Sequence, residues 1–359
     1  MSYERDTIRR MAGYAPGEQP TNPGVIKLNT NENPWPPSPR VVDALTDMHA
    51  ESLRRYPSPT AAAFLAEAAS LHGVDADQLV ATNGGDELLR LAITTFVPPG
   101  SPIGITEPSY SLYPVLAAIH DSPVHRVTLD DSWSLPAGFT DELNAAGVPL
   151  TLLVNPHAPS GRLLDAATIA SLASALDGVL LVDEAYVDFA DPGHDVVSLI
   201  ARHDNLMILR TLSKGYSLAG LRLGYGIGPA GLIRPIAAKT RDSYSVDAVA
   251  DRLGAAALAD QATARASWAA VRRERQRLTE TLRGWGFEVP DSQTNFCLAR
   301  IPDDAPVSAA ALHAGLKADG ILVRHFDTPR LADQLRISVG TPEQNDALLE
   351  SLRVRLNRS

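Results

Sequence analysis

Between residues 79 and 228 the chain carries short apolar runs of strand length, at 79–82, 102–106, 124–129, 150–155, 179–183, 206–211 and 221–227, separated by amphipathic stretches of helical period. Runs this short could belong to buried helix, but their β-branched content and flanking Gly, Pro and Asp favour strands. Strands alternating with helices predict crossover units on a mostly parallel, seven-stranded sheet flanked by helices, an α/β class. Beyond residue 241 the pattern changes to long helices, with 264–285 dense in Arg and Glu, and then to short strands near Phe296, Ile321 and Leu335. That predicts a smaller α+β domain. Residues 1–38 are rich in Pro, Gly and Asn and hold no sustained period, as expected of an arm laid over other structure. The expected organisation is an arm at 1–38 that joins the small domain, a large domain at 39–242 and a small domain at 243–359, with a hinge between Ala238 and Val246.

Composition narrows the class. A chain of 359 residues with 45% hydrophobic and 21% charged residues is long enough for two packed domains. A net charge of -10 supplies no broad cationic surface, so neither nucleic acid nor a membrane is an expected partner. Cys297 is the single cysteine, which excludes an internal disulfide and a cysteine-based zinc site, and no metal is expected. The start is charged and lacks an apolar leader core, so a cytoplasmic, soluble protein is expected.

In a doubly wound sheet, ligands lie beyond the carboxyl ends of the strands. There the runs close on Asn83-Gly-Gly-Asp-Glu87, Glu107-Pro-Ser-Tyr110, Asn155-Pro156, Asp183-Glu-Ala-Tyr186 and Thr211-Leu-Ser-Lys214. Taken alone, Lys214 reads as a solvated loop lysine; in a pocket that lowers its pKa, its amine could condense with an aldehyde. Asp183 is either a helix cap or the acid that keeps a pyridine nitrogen protonated. Tyr186 and Asn155 could hydrogen-bond a ring hydroxyl, or simply serve a turn. Gly84 and Gly85 would let backbone amides approach a phosphate at a helix N-terminus, with Ser213 and Arg222 adding a hydroxyl and a bidentate cation. Tyr110 could stack on a ring or pack in the core. Arg336 interrupts an alternating strand, where a guanidinium needs an anion: a substrate carboxylate or phosphate, or a structural partner.

Together these residues, with Tyr14-Ala-Pro-Gly17, Leu28-Asn-Thr-Asn-Glu-Asn-Pro34, Arg55-Tyr-Pro-Ser58, Ser213-Lys-Gly-Tyr-Ser-Leu-Ala-Gly-Leu-Arg222 and Leu335-Arg-Ile-Ser-Val-Gly340, resemble the fold type I pyridoxal-phosphate aminotransferases, and among them the histidinol-phosphate aminotransferase family. The resemblance runs along nearly the whole chain. It implies pyridoxal 5'-phosphate as cofactor, held on Lys214 as a Schiff base, with Asp183 on the ring nitrogen and Asn155 and Tyr186 on the ring oxygen. Gly85, Asp86, Ser213 and Arg222 would surround the phosphate, and Tyr110 would stack on the ring. It further implies a homodimer in which Tyr56 reaches the partner's cofactor phosphate. Arg336 would take the substrate's anionic group, and Tyr14, Asn31, Glu32 and Arg324 would contact substrate. One departure is Asn155-Pro-His-Ala-Pro-Ser-Gly161, where His157 and Ala158 replace amides of the family pattern; His157 is read as a turn residue.

The implied reaction is ping-pong transfer from histidinol phosphate to 2-oxoglutarate in histidine biosynthesis. An aromatic amino acid aminotransferase ranks second and a threonine-phosphate decarboxylase third, because sequence does not fix which bond at Cα is aligned for cleavage. A cofactor-binding protein without catalysis and a nucleotide-binding enzyme are further alternatives; no G-x-G-x-x-G or P-loop pattern follows a strand to support the latter.

Overall fold

The computed structural model describes residues 2–357. Among the described residues, twelve strands, numbered in chain order, fall into three sheets. The first strand, β1 (Ile26–Lys27), lies in the arm. The central strands are β2 (Leu79–Thr82), β3 (Ile103–Glu107), β4 (Val124–Thr128), β5 (Leu150–Val154), β6 (Val179–Asp183), β7 (Leu206–Thr211) and β8 (Gly224–Ile227). The last four are β9 (Phe296–Arg300), β10 (Ile321–Leu322), β11 (Arg324–His325) and β12 (Gln334–Ser338).

The central sheet has seven strands in the order β2-β8-β7-β6-β5-β3-β4. Its pairs are parallel except β2 with β8 and β8 with β7. Apart from the half-exposed edge strand β4, the apolar runs are largely buried on both faces, which is why they lack a polar side. Leu180 and Val182 of β6, with Ile208 of β7, enter one core, whereas Leu181, Met207 and Leu209 enter the other. Burying both faces leaves the strand ends as the exits for polar chemistry.

A third core gathers Leu278, Leu282, Cys297, Ala299, Leu335 and Ile337 around the antiparallel sheet β11-β12-β9. The arm joins this region: β1 pairs in parallel with β10, and Leu28 is buried in the same core. Among the described residues, no helix is long and apolar enough to cross a membrane.

Beyond single-residue offsets at the ends of β3, β4 and β5, two features differ from those read in the sequence. The helix Ala248–Leu258 sends Ala250, Leu253 and Ala257 into the first core beside Phe64 and Ala68 of the helix Ala62–His72. Residues just beyond 243 therefore pack with the central sheet. The helix Gln261–Gly284 runs between two cores, with Ala264 in the first and Leu278 and Leu282 in the third. The last central strand begins at Gly224 rather than at 221, because Arg222 adopts a left-handed conformation, φ 54°, that ends a turn instead of opening a strand.

Candidate active site

The carboxyl ends of the central strands, the arm and the small sheet enclose a cavity of about 420 Å³. Of the residues singled out in the sequence, Tyr14, Asn31, Gly85, Asp86, Tyr110 and Asp183 line it, as do Tyr186, Ser213, Lys214, Arg222, Arg324 and Arg336. They arrive from elements more than 300 positions apart.

Lys214 follows β7 in the tight Ser-Lys-Gly turn and is partly buried. Its amine donates to the Thr30 carbonyl at 2.9 Å and lies 6.0 Å from the centre of the Tyr186 ring. Loss of solvent, and then the positive charge of Arg336, lower its pKa to about 8. Asp183 closes β6 and is fully enclosed. Tyr113 donates its hydroxyl to Oδ2 at 2.8 Å and the Ala185 amide donates to Oδ1 at 3.1 Å. Burial raises the Asp183 pKa to about 6 in spite of these two bonds. A carboxyl desolvated to this degree favours a cationic neighbour.

One basic corner forms where β2 turns into the helix Gly85–Phe96. Gly84, at φ 77°, caps that helix; a Cβ there would stand 2.5 Å from Nη2 of Arg222, so the bare backbone makes room for the guanidinium. Arg222 donates to Ser213 Oγ at 3.3 Å and to Asp86 Oδ2 at 3.4 Å, long bonds that leave donor capacity over. Helix N-terminal amides, a hydroxyl and a guanidinium suit a phosphate group.

A second cationic corner comes from the small sheet. Arg324 and Arg336 stand opposite one another in register on β11 and β12. Arg336 lies over the Phe296 and Phe326 rings, 5.3 and 5.4 Å from their centres, and donates from Nη2 to the Asn29 carbonyl at 3.1 Å. Its Nε is buried with no partner among the described residues, and burial lowers its pKa. A buried guanidinium with an unused donor beside a second arginine is built for an incoming anion.

Four expected residues lie elsewhere. The Asn155 side chain donates to the Leu164 carbonyl at 3.0 Å and accepts from the Leu164 amide at 2.8 Å, which pins the loop behind the site. Gly84 sits behind Arg222. Glu32 pairs with Lys27 at 2.5 Å. Tyr56 is 82% exposed and stacks on Tyr244 with ring centres 4.6 Å apart, outside this chain's cavity. His157 is buried in a turn: Nε2 lies 2.9 Å from the Pro108 carbonyl and Nδ1 2.8 Å from Ser160 Oγ. Burial depresses its pKa to about 4, so it is neutral and ties its turn to the Glu107–Tyr110 loop.

Sequence reasoning missed Tyr113, at the start of the helix Leu112–Ile119, and the wall residues Arg126, Phe326 and Leu331. None of the four carries a local motif that marks it.

Residues 23–352 match the family described as aminotransferase class I and II. The chain is 42% identical over 353 residues to histidinol-phosphate aminotransferase 1 of Trichormus variabilis, covering 98% of each chain. It shares the same identity and coverage with histidinol-phosphate aminotransferase 1 of a Nostoc species. Among solved structures it resembles the histidinol-phosphate aminotransferase of Sinorhizobium meliloti in complex with pyridoxal-5'-phosphate, at TM-score 0.91 and 25% identity, covering 99% of this chain and 98% of that one.

Proposed function

Because the chain belongs to the class I and II aminotransferases, and within them to the histidinol-phosphate aminotransferase family, we propose that it transfers an amino group from histidinol phosphate to 2-oxoglutarate with pyridoxal 5'-phosphate held on Lys214. The observation that carries this reading is one cavity in which a lysine of lowered basicity and a buried carboxyl lie among two separate cationic corners.

The residues present fit the cofactor. Gly85, Asp86, Ser213 and Arg222, with the room made by Gly84, would hold its phosphate. Asp183 would face the ring nitrogen, Tyr186 the ring oxygen, and Tyr110 one ring face. Asn155, whose amide has one hydrogen left after bonding Leu164, would support the ring oxygen from behind. When bound, pyridoxal phosphate supplies an aldehyde that links to amines and a ring that takes up the electron pair left at Cα.

Lys214, near pKa 8, keeps a usable neutral fraction at neutral pH, as it needs both to form the link and to take the Cα proton once displaced. Opposite a protonated ring nitrogen, Asp183 would be held in its ionised form. Tyr113 and the Ala185 amide fix the direction of its carboxylate. Arg336 and Arg324 orient the donor through its phosphate, then 2-oxoglutarate through a carboxylate, while Tyr14 covers the mouth. Exposed Tyr56 completes the phosphate corner of a second copy, which makes the working unit a homodimer.

A substrate panel tests this. Histidinol phosphate, phenylalanine, tyrosine and threonine phosphate are each assayed with and without 2-oxoglutarate, scoring glutamate and carbon dioxide separately. The expected result is glutamate formation fastest with histidinol phosphate and dependent on the oxo acid. Equal or faster turnover of the aromatic amino acids, or gas release without 2-oxoglutarate, overturns the assignment.

A further inference from the structure

Three consecutive arm residues touch three different functional groups. The Asn29 carbonyl accepts from Arg336, the Thr30 carbonyl accepts from Lys214, and the Asn31 side-chain amide donates to the Tyr186 hydroxyl at 3.1 Å. Asn31 is 1% exposed and left-handed, φ 56°, a conformation that Asn adopts more readily than most residues.

Its amide is locked from the small domain. The backbone N–H of Asn31 donates to Ser338 Oγ at 2.9 Å, and that hydroxyl donates back to Asn31 Oδ1 at 2.9 Å. Asn295 adds a bond to the Asn31 carbonyl at 2.9 Å. Turning the amide over would leave the Ser338 hydroxyl, 2% exposed, without its acceptor. Nδ2 is thereby directed at Tyr186, whose oxygen must accept. The Tyr186 proton has no acceptor among the described residues and is left for the cavity.

We propose that Asn31 is a positioning residue that holds the Tyr186 hydroxyl with its proton toward the cofactor's ring oxygen, and that Ser338 fixes this orientation from the small domain. The proposal rests on the cofactor assignment above. A proton donated to the ring oxygen stabilises its negative charge, so the neighbouring nitrogen of the Lys214–cofactor link holds a proton less tightly. The titratable groups facing Tyr186 are Asp183 from β6, Arg336 from β12, Lys214 from the loop after β7, Tyr14 from the arm, and Tyr110 and Tyr113 from the segment after β3. None of them is altered by substitution at Asn31.

The test is a pH titration of the visible absorbance of the cofactor-loaded protein, for wild type, Asn31→Gly, Tyr186→Phe and the double variant. Glycine keeps the left-handed backbone without strain. Asn31→Gly is expected to raise the pKa of the link by up to about one unit, the size of one ordinary hydrogen bond. Tyr186→Phe should raise it at least as much, and the double variant should match Tyr186→Phe alone, because Asn31 acts through the hydroxyl. Ser338→Ala, with the β12 backbone unchanged, should shift in the same direction by less. A lowered melting temperature without any pKa shift in Asn31→Gly, or shifts that add in the double variant, overturns the proposal. Failure of the wild type to take up pyridoxal phosphate overturns both it and the cofactor assignment.

Discussion

The Tyr113 hydroxyl donates to Oδ2 of Asp183 at 2.8 Å, with both residues enclosed in the protein. Burial raises the carboxyl toward about 6, and this bond opposes the rise. Tyr113→Phe should therefore push the Asp183 pKa higher and move the acid limb of kcat/KM upward in pH. It should also destabilise the fold by about 1–3 kcal/mol through the stranded oxygen. A pH–rate profile with a thermal melt checks both; an unmoved acid limb would show that Tyr113 only packs.

Asp183 also links stability to pH in the cofactor-free protein. Its folded pKa, about 6, lies above the ordinary 3.8, so the folded chain holds this proton more tightly than the unfolded chain. The contribution is full below pH 3.8 and is lost as pH rises through 6. Asp183→Asn, which carries no charge, should gain about 2–3 kcal/mol relative to wild type between roughly pH 4 and pH 7. The same substitution should cost about 100-fold or more in kcat, since the ring nitrogen loses its ionised partner. Denaturant melts at the two pH values, compared between variants, give the first quantity.

Arg336 is the second cause of the lowered Lys214 pKa, after burial. Replacing it with Gln should raise that pKa and shift the pH dependence of pyridoxal-phosphate uptake by the apoprotein to higher pH. The same variant should raise KM for both substrates. Stopped-flow absorbance on mixing apoprotein with cofactor reads the first effect, and an unchanged profile counts against coupling between these two cations.

At Gly84 a methyl group would meet the Arg222 guanidinium at 2.5 Å, on a backbone of positive φ. Gly84→Ala should loosen the phosphate corner and weaken cofactor affinity about tenfold or more while the sheet still forms. Titration of apoprotein with pyridoxal phosphate measures this, and retention of wild-type affinity would remove Arg222 from the phosphate site.

If Tyr56 serves the opposite subunit, Lys214→Ala and Tyr56→Ala proteins, each impaired alone, should complement when co-expressed. Mixed dimers then hold one site with both residues intact, and a random mixture should recover about a quarter of wild-type activity. No recovery would mean that Tyr56 acts within its own chain.

Much of this was legible in the chain. β2, β6 and β7 were read with their final bounds because a strand buried on both faces is a continuous apolar run, and the residues closing those runs did converge on one cavity. Asn155 is different: its motif marks a strand end, but its amide is engaged by the Leu164 backbone, a partner that no local pattern discloses. Glu32 is drawn off by Lys27 in the same way. The helix Ala248–Leu258 looked like the start of the second domain because its period says only that one side is apolar. That the side rests on Phe64 and Ala68 is decided by contacts some 185 positions away, which periodicity does not encode.

Arg324 and Arg336 are cross-strand neighbours of like sign, a pairing that antiparallel sheets ordinarily avoid. Their mutual repulsion is relieved in proportion to the charge a guest brings, so a dianionic ester gains more than a singly charged carboxylate from the same two side chains. Donor selectivity in this protein should accordingly erode with ionic strength, falling as mobile counterions do what the guest otherwise does.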